Sequence, residues 1–384
     1  MDLFLKESRM GDHIRAARII NGLTQQELAE QLGCTRQYIH QIENGGRLIS
    51  DHSNLQFMKL LKLREDYSFY NISPHFKVNN EDLNFCRRKG ATIAEIERAR
   101  IVTSIYADFV EQIENWINFP KEVFTQLGQE TSRSNIDKLA LEKLAERVRF
   151  NLDLGIDAPI SNMIRVAEKQ GAIVTRMPAF SEKISAFSVA GKRPLIALNE
   201  TGNATRSRFK LAHEIGHLIL HVGLETGCSE TEHQADNFAG ALLMPRSVFK
   251  KEFLPLYREF SKIPFNWSGI FELKQRWKVS VQAIIYRAFY LNFISENDFG
   301  KAYKYLSKNG FIKSEKGDEE IVEEKPEILK ASLDLLYKKK GITFSHLIGN
   351  LPYQPELLQD LFGLENLACK EAEKDNIVLF RKIS

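Results

Sequence analysis

The sequence predicts a mainly α-helical protein with a small β-sheet, an α+β fold, and three observations support this. Most of the chain spaces its apolar residues by three or four positions, which is the period of an amphipathic helix. Residues 172–198 instead hold short apolar and β-branched runs separated by a turn. The 384 residues are too many for one ordinary domain. We therefore expect two or three domains, with the sheet in one of them.

Composition indicates a globular protein, with 43% hydrophobic and 27% charged residues. The net charge of +3 is close to neutral and does not by itself indicate a nucleic-acid partner. No apolar run approaches the roughly eighteen residues that a membrane-spanning helix needs. The four cysteines have no paired spacing, so neither disulfides nor a zinc ribbon is expected. These features predict a reduced, cytoplasmic protein with no membrane partner.

The N-terminal half of the chain is predicted to be helical. Short helices separated by tight turns are expected at residues 13–63. Apolar residues at helical spacing extend over 83–127, where Pro120 ends or restarts the helix. Further helices are expected at 134–150 and within 159–171, so no strand is predicted before residue 172.

The middle of the chain changes to strand patterns and then returns to helices. Strands are expected at Ala172–Thr175, Ile184–Val189 and Pro194–Leu198. The chain beyond Thr205 is mostly helical in pattern. Residues Lys313–Lys325 are rich in charge and weakly periodic, which predicts a solvated loop. The residues after this loop regain helical spacing, and we expect helices there.

Two short helices near the N-terminus carry clear start and stop signals. Thr24 is placed to cap the first helix, and Glu27 three residues later completes a capping box. Gly33 ends that helix, Thr35 caps the second helix, and the turn that begins at Asn44 ends the second helix. Two helices joined by such a turn are the geometry that places the second helix in the major groove of DNA.

Residues 13–63 strongly resemble the XRE family, the phage-repressor type of helix-turn-helix. The resemblance implies that Arg36, Gln37 and Gln41 face base edges of double-stranded DNA, where arginine pairs with guanine and glutamine with adenine. It also implies that Gln25, at the start of the preceding helix, contacts a phosphate.

The same resemblance implies a structural ion pair between Arg18 and Glu43. Residues 1–70 hold nine lysines and arginines against nine aspartates and glutamates, so the domain has no net charge to attract DNA. A helix pair that binds only protein is therefore the alternative to a DNA-binding domain.

A second motif has the residue types of a catalytic zinc centre. His213 and His217 are four residues apart, so on a helix both imidazoles can point at one Zn²⁺ ion. Glu214 follows the first histidine and can reach a water on the metal without binding the metal itself. It would take the proton of that water as the water attacks a carbonyl. A non-catalytic metal site, or histidines buried in a core, is the alternative.

A catalytic zinc site normally has three protein ligands and one open position. By residue type the third ligand could be His221, Cys228, His233 or Glu232. We favour Glu232, because a second helix with a stripe of small and apolar residues begins there. Asp236, one turn later, is placed to accept the outer N–H of a ligand imidazole.

Together these motifs resemble the ImmA/IrrE family of metallo-endopeptidases, which often carry an XRE domain at the N-terminus. The matching residues are 194–199, 206–221 and 232–245, and the resemblance covers about residues 13–310. It implies a gluzincin-like peptidase core with a small sheet, an active-site helix and a glutamate-bearing helix. It also implies that the protein cuts or inactivates a repressor.

The resemblance assigns roles residue by residue. His213, His217 and Glu232 are implied to bind zinc, Glu214 to be the general base, and Asp236 to support a ligand. The group that stabilises the oxyanion is not fixed, and the candidates are Tyr286, Arg287 and Tyr290.

We divide the chain into four parts: a DNA-binding domain at 1–70, a helical linker at 71–155, a zinc metallopeptidase domain at 156–310 and a helical C-terminal region at 311–384. The predicted function is a DNA-binding regulatory zinc metallo-endopeptidase that cleaves a transcriptional repressor or a related protein. The alternative is a DNA-binding regulator or antitoxin-type repressor whose metal centre is structural or sensory. Whether the protein forms a homodimer is left open.

Overall fold

The computed structural model describes residues 2–47, 49, 51–65, 83–87, 92–129, 136–177, 184–199, 203–224 and 226–364. Within these ranges the chain is mainly helical and contains a four-stranded sheet, so the predicted α+β fold class is confirmed. The predicted boundary between the first domain and the linker, at residues 70 and 71, lies outside the described residues. The four-part division of the chain stays a prediction.

Most helices come before or after the three strands that lie between residues 173 and 198 of the chain. The described helices before residue 172 are α1 Asp2–Ile20, α2 Gln25–Gln31, α3 Arg36–Glu43, α4 Asp51–Leu60, α5 Ile93–Glu114, α6 Phe124–Gln129, α7 Lys138–Asn151 and α8 Met163–Lys169. The strands are β1 Leu83–Arg87, β2 Ile173–Arg176, β3 Ile184–Val189 and β4 Leu195–Leu198. The later helices are α9 Ala204–Leu220, α10 Ser229–Leu243, α11 Arg246–Phe253, α12 Trp267–Trp277, α13 Val281–Tyr290, α14 Glu296–Lys308, α15 Ile328–Lys340, α16 Phe344–Leu347 and α17 Pro355–Phe362.

The sheet has the strand order β1-β3-β4-β2. Strands β2 and β4 are parallel, whereas β3 is antiparallel to both β4 and β1. The three strands predicted between residues 172 and 198 are therefore present.

The helix predicted over residues 83–127 is wrong at its start, because Leu83–Arg87 form the edge strand β1. The partner of β1 is β3, about a hundred residues later, and the local spacing of apolar residues does not show a pairing between such distant segments. The helix that follows is α5, which begins only after Thr92, whose side chain accepts from the backbone N–H of Glu95. It ends at Glu114, before the proline expected to stop it.

Both faces of strands β2, β3 and β4 are covered, which explains why β4 is apolar throughout rather than alternating. All four residues of β4 are buried. One face packs into a core shared with the helix-turn-helix segment, α5 and the C-terminal helices, through Ile173, Leu195 and Ala197. The other face packs into a core shared with α6 to α14, through Val174, Ile196 and Leu198.

The helix-turn-helix segment has the local geometry that its capping signals predict. The Thr24 side chain accepts from the Glu27 backbone, and the Glu27 carboxylate accepts in return from the Thr24 backbone N–H at 2.7 Å. Gly33 has a φ of +64°, a left-handed turn that favours glycine. Ile39 and Ile42 bury one face of α3, leaving its other face outward.

The C-terminal helices hold the end of the helix-turn-helix segment through backbone bonds. The Arg64 N–H donates to the Pro352 carbonyl at 2.9 Å, and the Gln354 N–H donates to the Lys62 carbonyl at 2.9 Å. Leu63 and Tyr353 form an isolated β-bridge between these bonds. The C-terminal region therefore does not stand apart from the N-terminal helices.

Residues 313–325 form a loop, as predicted, with one 3-10 turn, but the loop is not solvated throughout. Glu315 is only 3% exposed and lies 3.3 Å from the ammonium of the fully buried Lys274. Its carboxylate also accepts the Val281 N–H at 2.8 Å and the Gln282 N–H at 3.2 Å, at the first turn of α13. Glu315 is therefore bonded to the folded domain, a pairing that charge density in the sequence does not reveal.

Glu324 makes a second such contact. It accepts the backbone N–H groups of Met163 and Ile164 at 2.7 and 3.1 Å, at the start of α8, and it pairs with Arg208 on α9. The segment is thus bound at both of its ends.

Glu315→Ala is expected to lower the free energy of unfolding by about 1–3 kcal/mol, because it leaves buried donors without an acceptor. Asp318 still faces Lys274, so the buried ammonium keeps one partner. Urea unfolding followed by circular dichroism measures the change. The control is Glu319→Ala, which removes an exposed carboxylate of the same segment. Equal stability of the two variants would contradict the role given to Glu315.

Candidate metal centre

Helix α9 carries the two histidines and packs closely against α10. It begins at the cap residue Asn203, whose side chain accepts from the Arg206 N–H at 3.0 Å. Gly216 faces α10, and an added Cβ there would lie 3.1 Å from the Phe238 ring and 3.4 Å from the Ala235 backbone. A glycine at this position therefore lets the two helices approach each other.

The close packing of the two helices brings Glu232 of α10 next to both histidines. Its two carboxylate oxygens lie 3.4 Å from the Nε2 atoms of His213 and His217. Those two Nε2 atoms are 3.0 Å apart. Among the described residues, these three side chains form a group whose donor atoms all lie within 4.8 Å of one another and could hold a metal ion.

The donor set and its spacing fit a zinc ion. Imidazole nitrogen and carboxylate oxygen are ordinary zinc ligands at about 2.0–2.2 Å, which places tetrahedral ligand atoms about 3.4 Å apart. The two carboxylate–imidazole separations have this value, and the separation between the imidazoles is slightly shorter. Zinc binding by these residues stays a prediction.

The outer nitrogen of His213 has a carboxylate partner. Its Nδ1 lies 2.8 Å from Asp236 Oδ1, so the ring donates its Nδ1–H and turns an unprotonated Nε2 toward Glu232. Burial raises the pKa of Glu232, but its interactions with His213 and His217 outweigh burial and bring the pKa down to about 2. Glu232 is therefore ionised at neutral pH, as a metal ligand must be.

Glu214 is fully buried beside this group. Neither of its carboxylate oxygens makes a hydrogen bond of good geometry to a described residue. Burial raises its pKa, whereas the two histidines and the nearby Ser188 hydroxyl act in the opposite direction. An unbonded carboxylate in a protein interior is costly, and such groups are usually satisfied by a partner such as an ordered water. The arrangement therefore fits a water held between Glu214 and a metal ion.

The other candidates for the third ligand lie outside the group. Cys228 is exposed at the cap position of α10, and His233 is exposed on that helix. His221 is buried just after the last residue of α9, with its Nδ1 2.9 Å from Nδ1 of His217. Burial lowers the pKa of His221 to about 4, so the ring is neutral.

One neighbour of the site was missed in the sequence. Gln234 accepts from His221 through its side-chain oxygen, at 2.9 Å from His221 Nε2. The spacing of His221 from His217 was a signal for the contact between those rings. The sequence does not indicate where Gln234 lies, because its position depends on how α10 packs across α9.

Arg287 is unsuited to stabilise an oxyanion, because it is used inside the protein. Both of its terminal nitrogens bind the Glu142 carboxylate, at 2.5 and 2.6 Å, and it also donates to the Met244 carbonyl. Tyr286 lies nearer to the site: burial raises its pKa, and the charge of Asp236 raises it further.

The helix-turn-helix segment leaves its predicted base-reading residues accessible. Arg36 and Gln37 are exposed at the start of α3, and Gln41 is half-buried one turn later. The predicted contacts of all three with DNA stay predictions.

The implied ion pair of this segment is present. Arg18 Nη2 donates to Glu43 Oε2 at 3.0 Å, and both residues are buried. The side-chain amide of Gln25 also donates to Glu43 Oε2, at 2.7 Å, so it connects α2 to the ion pair. Its contact with a phosphate stays a prediction.

Comparison with known families confirms the predicted fusion. The helix-turn-helix family model (HTH_3) matches residues 14–67, and the Peptidase_M78 model, described as an IrrE N-terminal-like domain, matches residues 167–289. The chain thus joins a helix-turn-helix DNA-binding domain to an IrrE-like domain of the Peptidase_M78 type. The second match contains every residue of the candidate metal group.

No curated protein matches the chain. Among solved structures, a Mycobacterium tuberculosis transcriptional regulator is similar at 14% identity and a TM-score of 0.28, over 47% of this chain and 51% of that one. The similarity thus spans about half of each chain. No described helix combines the length and apolar character that a bilayer crossing requires.

Proposed function

We propose that the protein is a DNA-binding regulator with zinc-dependent endopeptidase activity, and that its substrate is a transcriptional repressor or a related protein. The observation that carries the proposal is Glu214, a fully buried carboxylate that makes no hydrogen bond of good geometry to a described residue and lies beside two histidines and a glutamate. Such a carboxylate has no use in a site that only holds an ion, whereas a hydrolytic site needs it as a base.

In this proposal each side chain has a separate task. His213, His217 and Glu232 hold the ion, and Asp236 keeps His213 oriented through the bond to Nδ1. Zinc, when bound, acidifies a water molecule and polarises the scissile carbonyl. Glu214 takes the proton of the attacking water and gives it to the leaving amine.

The helix-turn-helix domain would bring this activity to a promoter. We propose that Arg36, Gln37 and Gln41 contact base edges and that Gln25 contacts a phosphate. The domain matched at residues 14–67 supports DNA binding. A protease bound at an operator would meet the repressor that occupies the same region.

Replacing Arg36 and Gln37 together by alanine is expected to abolish sequence-specific DNA binding, because each base-reading side chain contributes about 1–3 kcal/mol. A footprint on the protein's own upstream region measures the effect. Arg15→Ala is the control, since it removes the same charge from an exposed arginine that pairs with Glu97 on α5. A footprint unchanged in the double variant would exclude α3 as the recognition helix.

The competing proposal is a regulator whose metal centre is structural or sensory. Co-expression with repressors encoded near the gene, followed by immunoblotting, separates the two. Cleavage by the wild-type protein that disappears with a zinc chelator supports the peptidase. Intact repressors together with zinc in the purified protein would favour the regulator.

A further inference from the structure

The two histidines of the candidate metal group differ in what lies behind them. The Nδ1 atom of His213 lies next to the carboxylate of Asp236. The outer nitrogen of His217 instead meets a second imidazole, that of His221, at 2.9 Å between the two Nδ1 atoms. The relative exposures of His217 and His221 are 0% and 2%, so water does not compete for this contact.

The contact continues outward through α10. His221 Nε2 lies 2.9 Å from Gln234 Oε1, and Gln234 Nε2 donates to Glu230 Oε1 at 3.4 Å. An ionised carboxylate can only accept, so Glu230 orients the amide with its nitrogen outward and its oxygen toward His221. This oxygen also only accepts, and it therefore places the single proton of neutral His221 on Nε2.

The orientation of Gln234 consequently sets the protonation of both rings. With its proton on Nε2, His221 presents an unprotonated Nδ1, which accepts the Nδ1–H of His217. His217 is left with an unprotonated Nε2, the atom that faces Glu232. A ligand histidine must present that lone pair to bind a metal.

The contact between the two rings lies at the end of α9. The helix ends at Leu220, and His221 follows it with a backbone φ of −121°, outside the helical range. Its imidazole packs against that of His217, with the ring centroids 5.0 Å apart and the planes tilted by 52°. His221 follows His217 by four residues, the spacing at which helical side chains lie next to each other, and its backbone N–H still donates to the His217 carbonyl at 2.9 Å.

We propose that His221 is a positioning residue of the metal centre, which holds His217 in its metal-binding tautomer, and that Gln234 fixes the tautomer of His221. The inference rests on the proposed zinc site. A neutral imidazole orients the ligand without adding charge, and the centre already contains the carboxylates of Glu214, Glu232 and Asp236. A fourth carboxylate behind His217 would add repulsion within the site.

Two substitutions of His221 separate the hydrogen bond from the packing. In His221→Asn the amide oxygen takes the place of Nδ1 and still accepts from His217, whereas His221→Leu fills the space without an acceptor. Competition with a zinc chelator measures the affinity for zinc. We expect His221→Leu to bind about 10–100-fold more weakly, and His221→Asn to stay close to wild type. The control is His233→Leu, an exposed histidine of α10.

The tautomers themselves are measured by long-range ¹H–¹⁵N spectra of the zinc-loaded wild-type protein labelled at histidine. We expect a proton on Nδ1 of His217 and on Nε2 of His221, and a change at His221 in Gln234→Met. A purely structural contact would leave the His221 signals of Gln234→Met unchanged. The spectra also decide the question if His221→Leu fails to fold.

The outcomes distinguish this inference from the proposed function. A wild-type protein that binds no zinc would overturn both. Zinc binding in the wild type together with equal affinity in His221→Leu would overturn only the role of His221. A proton found on Nδ1 of His221 would have the same meaning.

Discussion

Glu232→Ala is expected to lose more zinc affinity than any other single change on α10. The carboxylate spans both imidazoles at 3.4 Å, and its removal leaves two nitrogen ligands where a catalytic zinc site has three protein ligands. Asp236→Ala keeps all three ligands but removes the acceptor of the His213 N–H, a loss of about 10–100-fold. Zinc content after dialysis against graded chelator concentrations ranks the variants.

Cys228→Ser is the matched control for this series. Cys228 is the cap residue of the same helix and is exposed, so its substitution leaves the metal group untouched. Full zinc content in Glu232→Ala, combined with loss in Cys228→Ser, would show that the thiol and not the carboxylate completes the site. Circular dichroism of each variant checks that α10 remains folded.

Local features of the fold could be predicted from the sequence because their causes are local. Thr24 and Glu27 form the expected capping box, and Gly33 makes the expected left-handed turn. The spacing of His213 and His217 was sufficient to place them on one helix face. Each of these inferences needs only residues within one or two helical turns.

Features that depend on distant partners could not be predicted. Strand β1 is defined by its pairing with β3, in which Asn84 lies opposite Ser188. In the sequence, Glu315 and Glu324 resemble solvated charges. Only the fold places Lys274 and Arg208 next to them. A charged run in a sequence carries no information on which of its members find buried partners.

The candidate site contains features that follow from the local sequence and features that depend on distant partners. The histidine pair follows from helix geometry, whereas the place of Glu232 depends on the close approach that Gly216 permits between α9 and α10. The buried bond between Arg287 and Glu142, which removes Arg287 as an oxyanion candidate, joins residues 145 positions apart. The grouping of the two histidines and the contact of one of them with Asp236 could therefore be predicted from the sequence, whereas the bond between Arg287 and Glu142 could not.

Glu214→Gln is expected to keep zinc and lose cleavage by about 10²–10⁴-fold, the usual contribution of a general base. Glutamine has the same shape and cannot take a proton from water. The substitution also removes a carboxylate whose charge is disfavoured by burial, so we expect no loss in the free energy of unfolding. The measurements are zinc content, urea unfolding and the rate of repressor cleavage, with the surface variant Glu319→Gln as the control.

Three results would each contradict a different part of this assignment. Cleavage by Glu214→Gln at the wild-type rate would show that another group takes the proton. Loss of zinc from the variant would place Glu214 among the ligands rather than beside them. A marked loss of stability would show that the buried carboxylate has a structural partner. Its burial would then not support the proposed role as a base.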